Sequence, residues 1–178
     1  MRIPKFEYLA PKKLEDAVSF LKKYKGDIKV VAGGTDLIVN MKQRTITPKY
    51  LINLKEIADL DFINYKKNDG LKIGALTALR TIEKSGVIRE KFPVIAKAAH
   101  EVASVQIRNV GTLGGNICLN TRCWYYNQPL YWRKSFPFCF KVGGDCCNVV
   151  KKGKQCYALF SADTVPALIG LDAKIKVV

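Results

Sequence analysis

The stretch "VVAGGTDLIVNMK", residues 30–42, decides how the chain is read. With Ile28 and Lys29 ahead of it, "IKVVAGG" (28–34) is a short apolar run that enters a pair of glycines, the pattern of a buried strand ending in a tight turn. "DLIVNMKQ" then reads as helix, "RTITPKY" as a loop, and "YLINL" (50–54) as a second buried strand. Upstream, residues 12–25 place Leu14, Ala17, Val18, Leu21 and Tyr24 on one helical face, with Pro11 before and Gly26 after. Downstream, "DFINYKKNDGLKIGAL" holds two short runs around Asn68-Asp69-Gly70, a hairpin signal. Helices are expected at 78–85 and 91–103, and a helix start in "SADTVPALIGL" with Ser161 or Asp163 near its cap. "NVGTLGGNI" is expected not to form regular helix, and "AKIKVV" reads as a final strand. The fold class is α+β, without internal repeats.

The bulk properties set limits. A chain of 178 residues can bury roughly 70% of its unfolded surface, so it does not need cysteine staples. Hydrophobic content of 48% with 25% charged residues indicates a globular protein. The N-terminus has no apolar core of a signal peptide, and no apolar run reaches the length of a membrane span. A cytoplasmic setting follows, with no membrane partner, and clustered thiols there point to metal or redox chemistry. The formal net charge of +15 fits an acidic protein, nucleic acid, an anionic membrane surface or simply solvated lysine faces. No helix-turn-helix, zinc-finger or RNA-recognition signature is present, so nucleic acid is not expected.

Two Gly-Gly turns carry the chemistry. The first is Val30, Val31, Ala32, Gly33, Gly34, Thr35, Asp36 and Leu37; the second is Thr112, Leu113, Gly114, Gly115 and Asn116. Successive backbone N–H groups in such turns form anion nests, and the missing Cβ lets a phosphate approach. Thr35, Thr112 and Asn116 are candidates to add side-chain hydrogen bonds. Neither turn matches the dinucleotide GxGxxG or the P-loop pattern.

Together, "VVAGGTDLIVNMK" and "IRNVGTLGGNI" resemble the FAD-binding subunit of the molybdenum hydroxylases, the xanthine dehydrogenase and aerobic CO dehydrogenase family. "GALTALRTIEKS" and "SADTVPAL" fit the same family, and the resemblance runs from about residue 3 to the end. It implies a p-cresol methylhydroxylase-type FAD-binding domain of two α/β lobes, a first lobe at 1–56 and a second at 57–178, with FAD between them. The family's separate C-terminal domain is expected to be absent, since the sequence stops at Val178. The implied flavin contacts are the two turns, Val102 ahead of the second, and Asp163, which also reads as a helix N-cap.

Residues 121–163 hold five of the six cysteines, both tryptophans and a run of basic residues. In form this segment resembles the β subunit of 4-hydroxybenzoyl-CoA reductase, whose insertion carries an extra [4Fe–4S] cluster. The resemblance makes 120–160 the insertion and Cys123, Cys139, Cys147 and Cys156 the ligands. Iron–sulfur clusters commonly take four thiolates. The absence of any CxxC pair disfavours a zinc knuckle, and the single histidine, His100, lies outside the segment, although a zinc site of four cysteines stays open. Cys118 reads as a small buried hydrophobe, and Cys146 competes with Cys147 for the ligand position.

The resulting expectation is an oxidoreductase subunit carrying FAD and a [4Fe–4S] cluster, with no catalytic residues of its own. It would work with a molybdopterin-containing large subunit and a small [2Fe–2S] subunit, and with an acidic ferredoxin as external partner. The alternatives are an FAD subunit of another molybdenum hydroxylase, acting on a purine or another aromatic, and a basic zinc-binding interaction module.

Overall fold

The computed structural model describes residues 2–178. The chain groups into two compact units that do not follow chain order. One contains Phe6–Thr35, Pro48–Cys118 and Ala162–Val178; the other contains the N-terminal residues to Lys5, Asp36–Thr47 and Leu119–Ser161.

The first unit opens with three parallel strands. β1 (Glu7–Leu9) and β2 (Ile28–Val31) both pair with the central β3 (Tyr50–Asn53), in registers Glu7↔Tyr50 and Ile28↔Tyr50. Leu51, Ile52 and Asn53 of β3 are buried, as expected for a central parallel strand covered on its faces. Helix α1 (Leu14–Lys23) forms the crossover from β1 to β2. Its acids, Glu15 and Asp16, occupy the first turn and Lys22 and Lys23 the last, complementing the helix dipole. Its Ala17 packs with Ile28, Ile52 and Ile57 in one core, with Phe20, Leu21 and Tyr24 at its margin.

The second core of this unit is helical. β4 (Ile63–Lys66) and β5 (Gly70–Ile73) form the expected antiparallel hairpin. It packs Ile63, Leu71 and Ile73 against α3 (Leu79–Lys84), α4 (Gly86–Lys91) and α5 (Pro93–Glu101). Ile82, Ile88 and Ala99 are fully enclosed, and each fully buried large aliphatic contributes about 1.5–3 kcal/mol. The helix expected over 91–103 instead begins at Pro93, because proline lacks the N–H an interior position must donate and suits the first turn.

The glycine-rich stretch 109–117, expected to be non-helical, forms the end of α6 (Val105–Val110) and the one-turn α7 (Leu113–Ile117). Side-chain caps supply what glycine propensity does not: Ser104 accepts from Ile107 N and Thr112 from Gly115 N. Helix α9 (Val165–Gly170) is present, but its N-cap is Thr164 rather than Ser161 or Asp163, and no side-chain bond caps it. "AKIKVV" is not a strand: none of the described strands lies beside it to complete a ladder, and its residues are exposed.

The other unit has little regular structure. It holds α2 (Leu37–Lys42) and the short α8 (Leu130–Arg133). Arg122 and Leu159 form an isolated antiparallel bridge with bonds of 2.6 and 2.8 Å, which ties together the two ends of the cysteine segment. Tyr125 and Tyr126 are buried, and Tyr125 contacts Trp132 and Phe136 at ring separations of 5.9 Å each. Among the described residues, no helix is long and apolar enough to cross a membrane.

Candidate cofactor sites

β2 delivers the first glycine turn. A Cβ placed on Gly33 would stand 2.2 Å from Val110 O and 2.9 Å from Gly111 Cα. The backbone of the first turn therefore rests directly on the backbone that enters the second, and only glycine permits that approach. The second turn is in turn pinned to residues 75–79. Leu79 N donates to Gly111 O (2.9 Å), Leu113 N to Thr77 O (3.0 Å) and Gly114 N to Ala75 O (2.8 Å). Thr77 is fully buried, and its hydroxyl both donates to Phe62 O (3.0 Å) and accepts from Phe62 N (3.1 Å).

A charged cluster holds α6 in place. Arg108 is buried; its Nε donates to Glu83 Oε2 (3.1 Å) and its Nη1 to the carbonyls of Val102 (2.9 Å) and Ala103 (3.2 Å). Glu83 Oε1 also meets Arg80 Nη1 at 2.6 Å and His100 Nδ1 at 3.0 Å. The His100 hydrogen bond, helped by Arg80 and Arg108 and opposed by burial, holds the Glu83 carboxyl down at about 2. Sequence reasoning missed this cluster. Its signal was a lone arginine inside the apolar helix that leads to the second turn.

The site residues expected from sequence fall into three groups. Val30 to Thr35, Thr112 to Asn116 and Val102 belong to the unit that holds both turns. Within it, two of the expected ligand-bonding side chains already serve the frame. Thr112 Oγ1 accepts from Gly115 N (3.1 Å), and Asn116 Oδ1 accepts from Thr164 N (3.2 Å) and Thr164 Oγ1 (2.6 Å). Val102 is a core residue in contact with the cluster that contains Leu113, and Asp163 is exposed beside the buried Thr164. Asp36 and Leu37 belong to the other unit, where Asp36 is ion-paired with Arg122.

The cysteine segment builds a separate cavity of about 60 Å³. Cys123, Cys139, Cys147 and Cys156 all line it, together with Cys146 and Tyr125. The sulfurs differ in their hydrogen bonds. Cys123 Sγ accepts from Tyr126 N (3.1 Å) and Cys147 Sγ from Val150 N (3.3 Å), whereas Cys146 Sγ donates to Phe138 O (3.4 Å). Cys139 is buried and Cys156 exposed. Among the described residues, no three cysteine, histidine or carboxylate side chains converge closely enough to hold a metal ion as they stand. Cys118, expected to be buried, is exposed: it follows α7 at its C-cap and joins neither core.

Residues 4–178 match the family described as the FAD binding domain in molybdopterin dehydrogenase, and the chain belongs to that family. It is 41% identical over 114 residues to the nicotinate dehydrogenase FAD-subunit of Eubacterium barkeri, covering 63% of this chain and 38% of that protein. It is 33% identical over 155 residues to the aldehyde oxidoreductase FAD-binding subunit of Escherichia coli (strain K12), covering 84% of this chain and 48% of that one. Among solved structures it resembles a carbon monoxide dehydrogenase from Hydrogenophaga pseudoflava that lacks the Mo-pyranopterin moiety of the molybdenum cofactor. The TM-score is 0.62 at 38% identity, over 66% of this chain and 40% of that one. The chain thus spans less than half the length of these relatives.

Proposed function

We propose that this chain carries FAD as the electron-transferring part of a molybdenum hydroxylase-type dehydrogenase. The observation behind this reading is the interlock of the two glycine turns, which sets them side by side in one unit with no Cβ between them. FAD, when bound, supplies one- and two-electron transfer. The residues of this chain would bind and orient it: the two turns take the pyrophosphate, and the Glu83–Arg108 cluster holds the second turn rigid. Substrate chemistry would belong to a molybdopterin-containing large subunit, and a small iron–sulfur subunit would link the two centres. The relatives are named for nicotinate, aldehydes and carbon monoxide. That range supports the general dehydrogenase reading ahead of the likeness to 4-hydroxybenzoyl-CoA reductase. Flavin binding by the purified protein tests the proposal. About one FAD per chain is expected, with far weaker binding of riboflavin, which lacks the diphosphate. Equal binding of FAD and riboflavin would remove the role assigned to the turns.

A second reading adds a [4Fe–4S] cluster on Cys123, Cys139, Cys147 and Cys156. It is favoured by one cavity gathering all four. The hydrogen bonds also separate Cys147 from Cys146. A ligating thiolate has no proton and can only accept, as Cys147 does, whereas the bond from Cys146 requires its proton. The match to the aldehyde oxidoreductase subunit, at 84% of this chain, is long enough to run into the cysteine segment. Lysines and arginines of that segment would offset cluster charge and dock an acidic ferredoxin, making electron transfer strongly salt-dependent. Cys147→Ala should abolish iron and sulfide while Cys146→Ala retains both. Zinc without iron in the unaltered protein would instead support a zinc module.

A further inference from the structure

A second cavity lies wholly within the cysteine-bearing unit and belongs neither to the glycine turns nor to the thiols. It measures about 370 Å³, the scale of a small-molecule pocket. Its wall carries four cations, Arg2, Lys42, Arg44 and Lys134, with Leu130 and Tyr131 as its apolar side. No carboxylate lines it. The seven ion pairs found elsewhere in the chain that join lysine or arginine to nearby acids show what these four lack: none of them has a carboxylate partner among the described residues.

The cations are set on a prepared frame. Leu130 N donates to Gln43 O (2.9 Å), so the end of α2 is tied to the start of α8. The buried Arg133 reinforces this, with Nε on Gln128 O (3.0 Å) and Nη2 on Arg44 O (3.0 Å). Arg44 has a left-handed backbone, φ 57°, and its Nη2 donates to Arg2 O (3.2 Å). A non-glycine residue in that region costs free energy, and here the conformation brings a guanidinium to the wall beside Arg2. Gathering four like charges without an acid is unfavourable unless an anion offsets them.

We infer that this cavity binds a diphosphate-bearing small molecule with a flat ring, a nucleoside diphosphate in chemical class. The guanidinium groups of Arg2 and Arg44 suit bidentate contact with phosphate oxygens, and Lys42 and Lys134 add point charges. The exposed ring of Tyr131 gives a base a stacking surface, with Leu130 beside it.

Calorimetric titration with ADP and with inorganic pyrophosphate, on protein first saturated with FAD, tests the assignment. Both ligands are expected to bind. Lys42→Glu combined with Lys134→Glu should weaken both by at least about tenfold, because two charge-assisted contacts are reversed. Both side chains are exposed, so the frame should persist, which an unchanged unfolding curve would verify; Lys134→Ser alone should give a smaller loss in the same direction. Tyr131→Ala should weaken ADP several-fold and leave pyrophosphate unchanged. Absence of binding, equal binding by the charge-reversed variant, or loss of ADP binding on FAD saturation would overturn the site. Unchanged ADP binding in Tyr131→Ala would overturn the nucleoside part. The charge-reversal comparison can also be made on flavin-free protein, so failure of the FAD reading is seen separately.

Discussion

The two regions that carry the proposed chemistry are built in opposite ways. The glycine turns are fixed by backbone against backbone: Gly33 on Val110 and Gly111, and residues 111–114 on 75–79. The cysteine region has one such backbone contact, Gly144 on Phe138, and is otherwise held largely by side chains reaching back to carbonyls, Arg133 to Gln128 and Arg44, Tyr125 to Arg133 and Pro137, and Lys141 to Thr121. Backbone contacts constrain residue type at the point of contact. Side-chain tethers constrain only the residue that reaches. A change at Gly33 should therefore act through excluded volume, and a change at Arg133 through orphaned polar groups.

The sharpest way to break this contrast is Gly33→Val. The new side chain begins where the Val110 carbonyl oxygen already stands, and a backbone atom cannot rotate away. The expected cost is about 4 kcal/mol or more, beyond ordinary overpacking. Denaturant unfolding measures it, and flavin content should fall with it. Retained stability would mean that the two turns are not held in contact. The matching change in the other region is Arg133→Ala. It orphans the Gln128 and Arg44 carbonyls and removes a guanidinium stacked 5.6 Å from the Tyr126 ring. A loss of about 3 kcal/mol is expected. Circular dichroism and proteolysis should locate it in residues 119–161, with the hairpin and helical core unaffected.

Sequence reading succeeded where local pattern and tertiary need coincide. β2, β3, the 68–70 turn and α3 have apolar spacing and punctuation that admit one reading, and both glycine turns are visible because glycine is required there. It failed where tertiary partners outweigh propensity. Residues 113–117 are helical because Thr112 caps them and Asn116 is held by Thr164, a partner 48 residues away. "AKIKVV" has strand composition but no neighbouring strand. The gathering of four distant thiols at one cavity came from a resemblance and could not be derived from their spacing. The anion cavity was invisible for the same reason, since Arg2, Lys42 and Lys134 meet only in three dimensions.

The contrast also predicts different acid sensitivity. The Glu83 carboxyl titrates at about 2 in the folded protein, below its ordinary value of 4.5. Its contribution is complete above pH 4.5 and is lost as pH falls from there toward 2. The unit with the glycine turns should therefore loosen first over that window. Glu83→Gln should flatten the dependence of stability on pH across it, and at neutral pH should cost stability by leaving the buried Arg108 with a neutral partner. An unaltered acid profile in Glu83→Gln would show that the cluster does not govern the second turn.

The smallest effect comes from a glycine of the opposite kind. Gly143 has φ 86° and nothing within 4 Å of the position its Cβ would take. Its substitution meets no atom, so only the left-handed backbone opposes alanine, at about 1 kcal/mol. Gly143→Ala should thus shift unfolding slightly and leave any iron content unchanged, in contrast to Gly33→Val. A loss as large as that of Gly33→Val would mean that Gly143 is as tightly enclosed as its neighbour Gly144, whose Cβ would stand 1.7 Å from Phe138 O. The distinction between a backbone-locked and a tether-locked region would then fail.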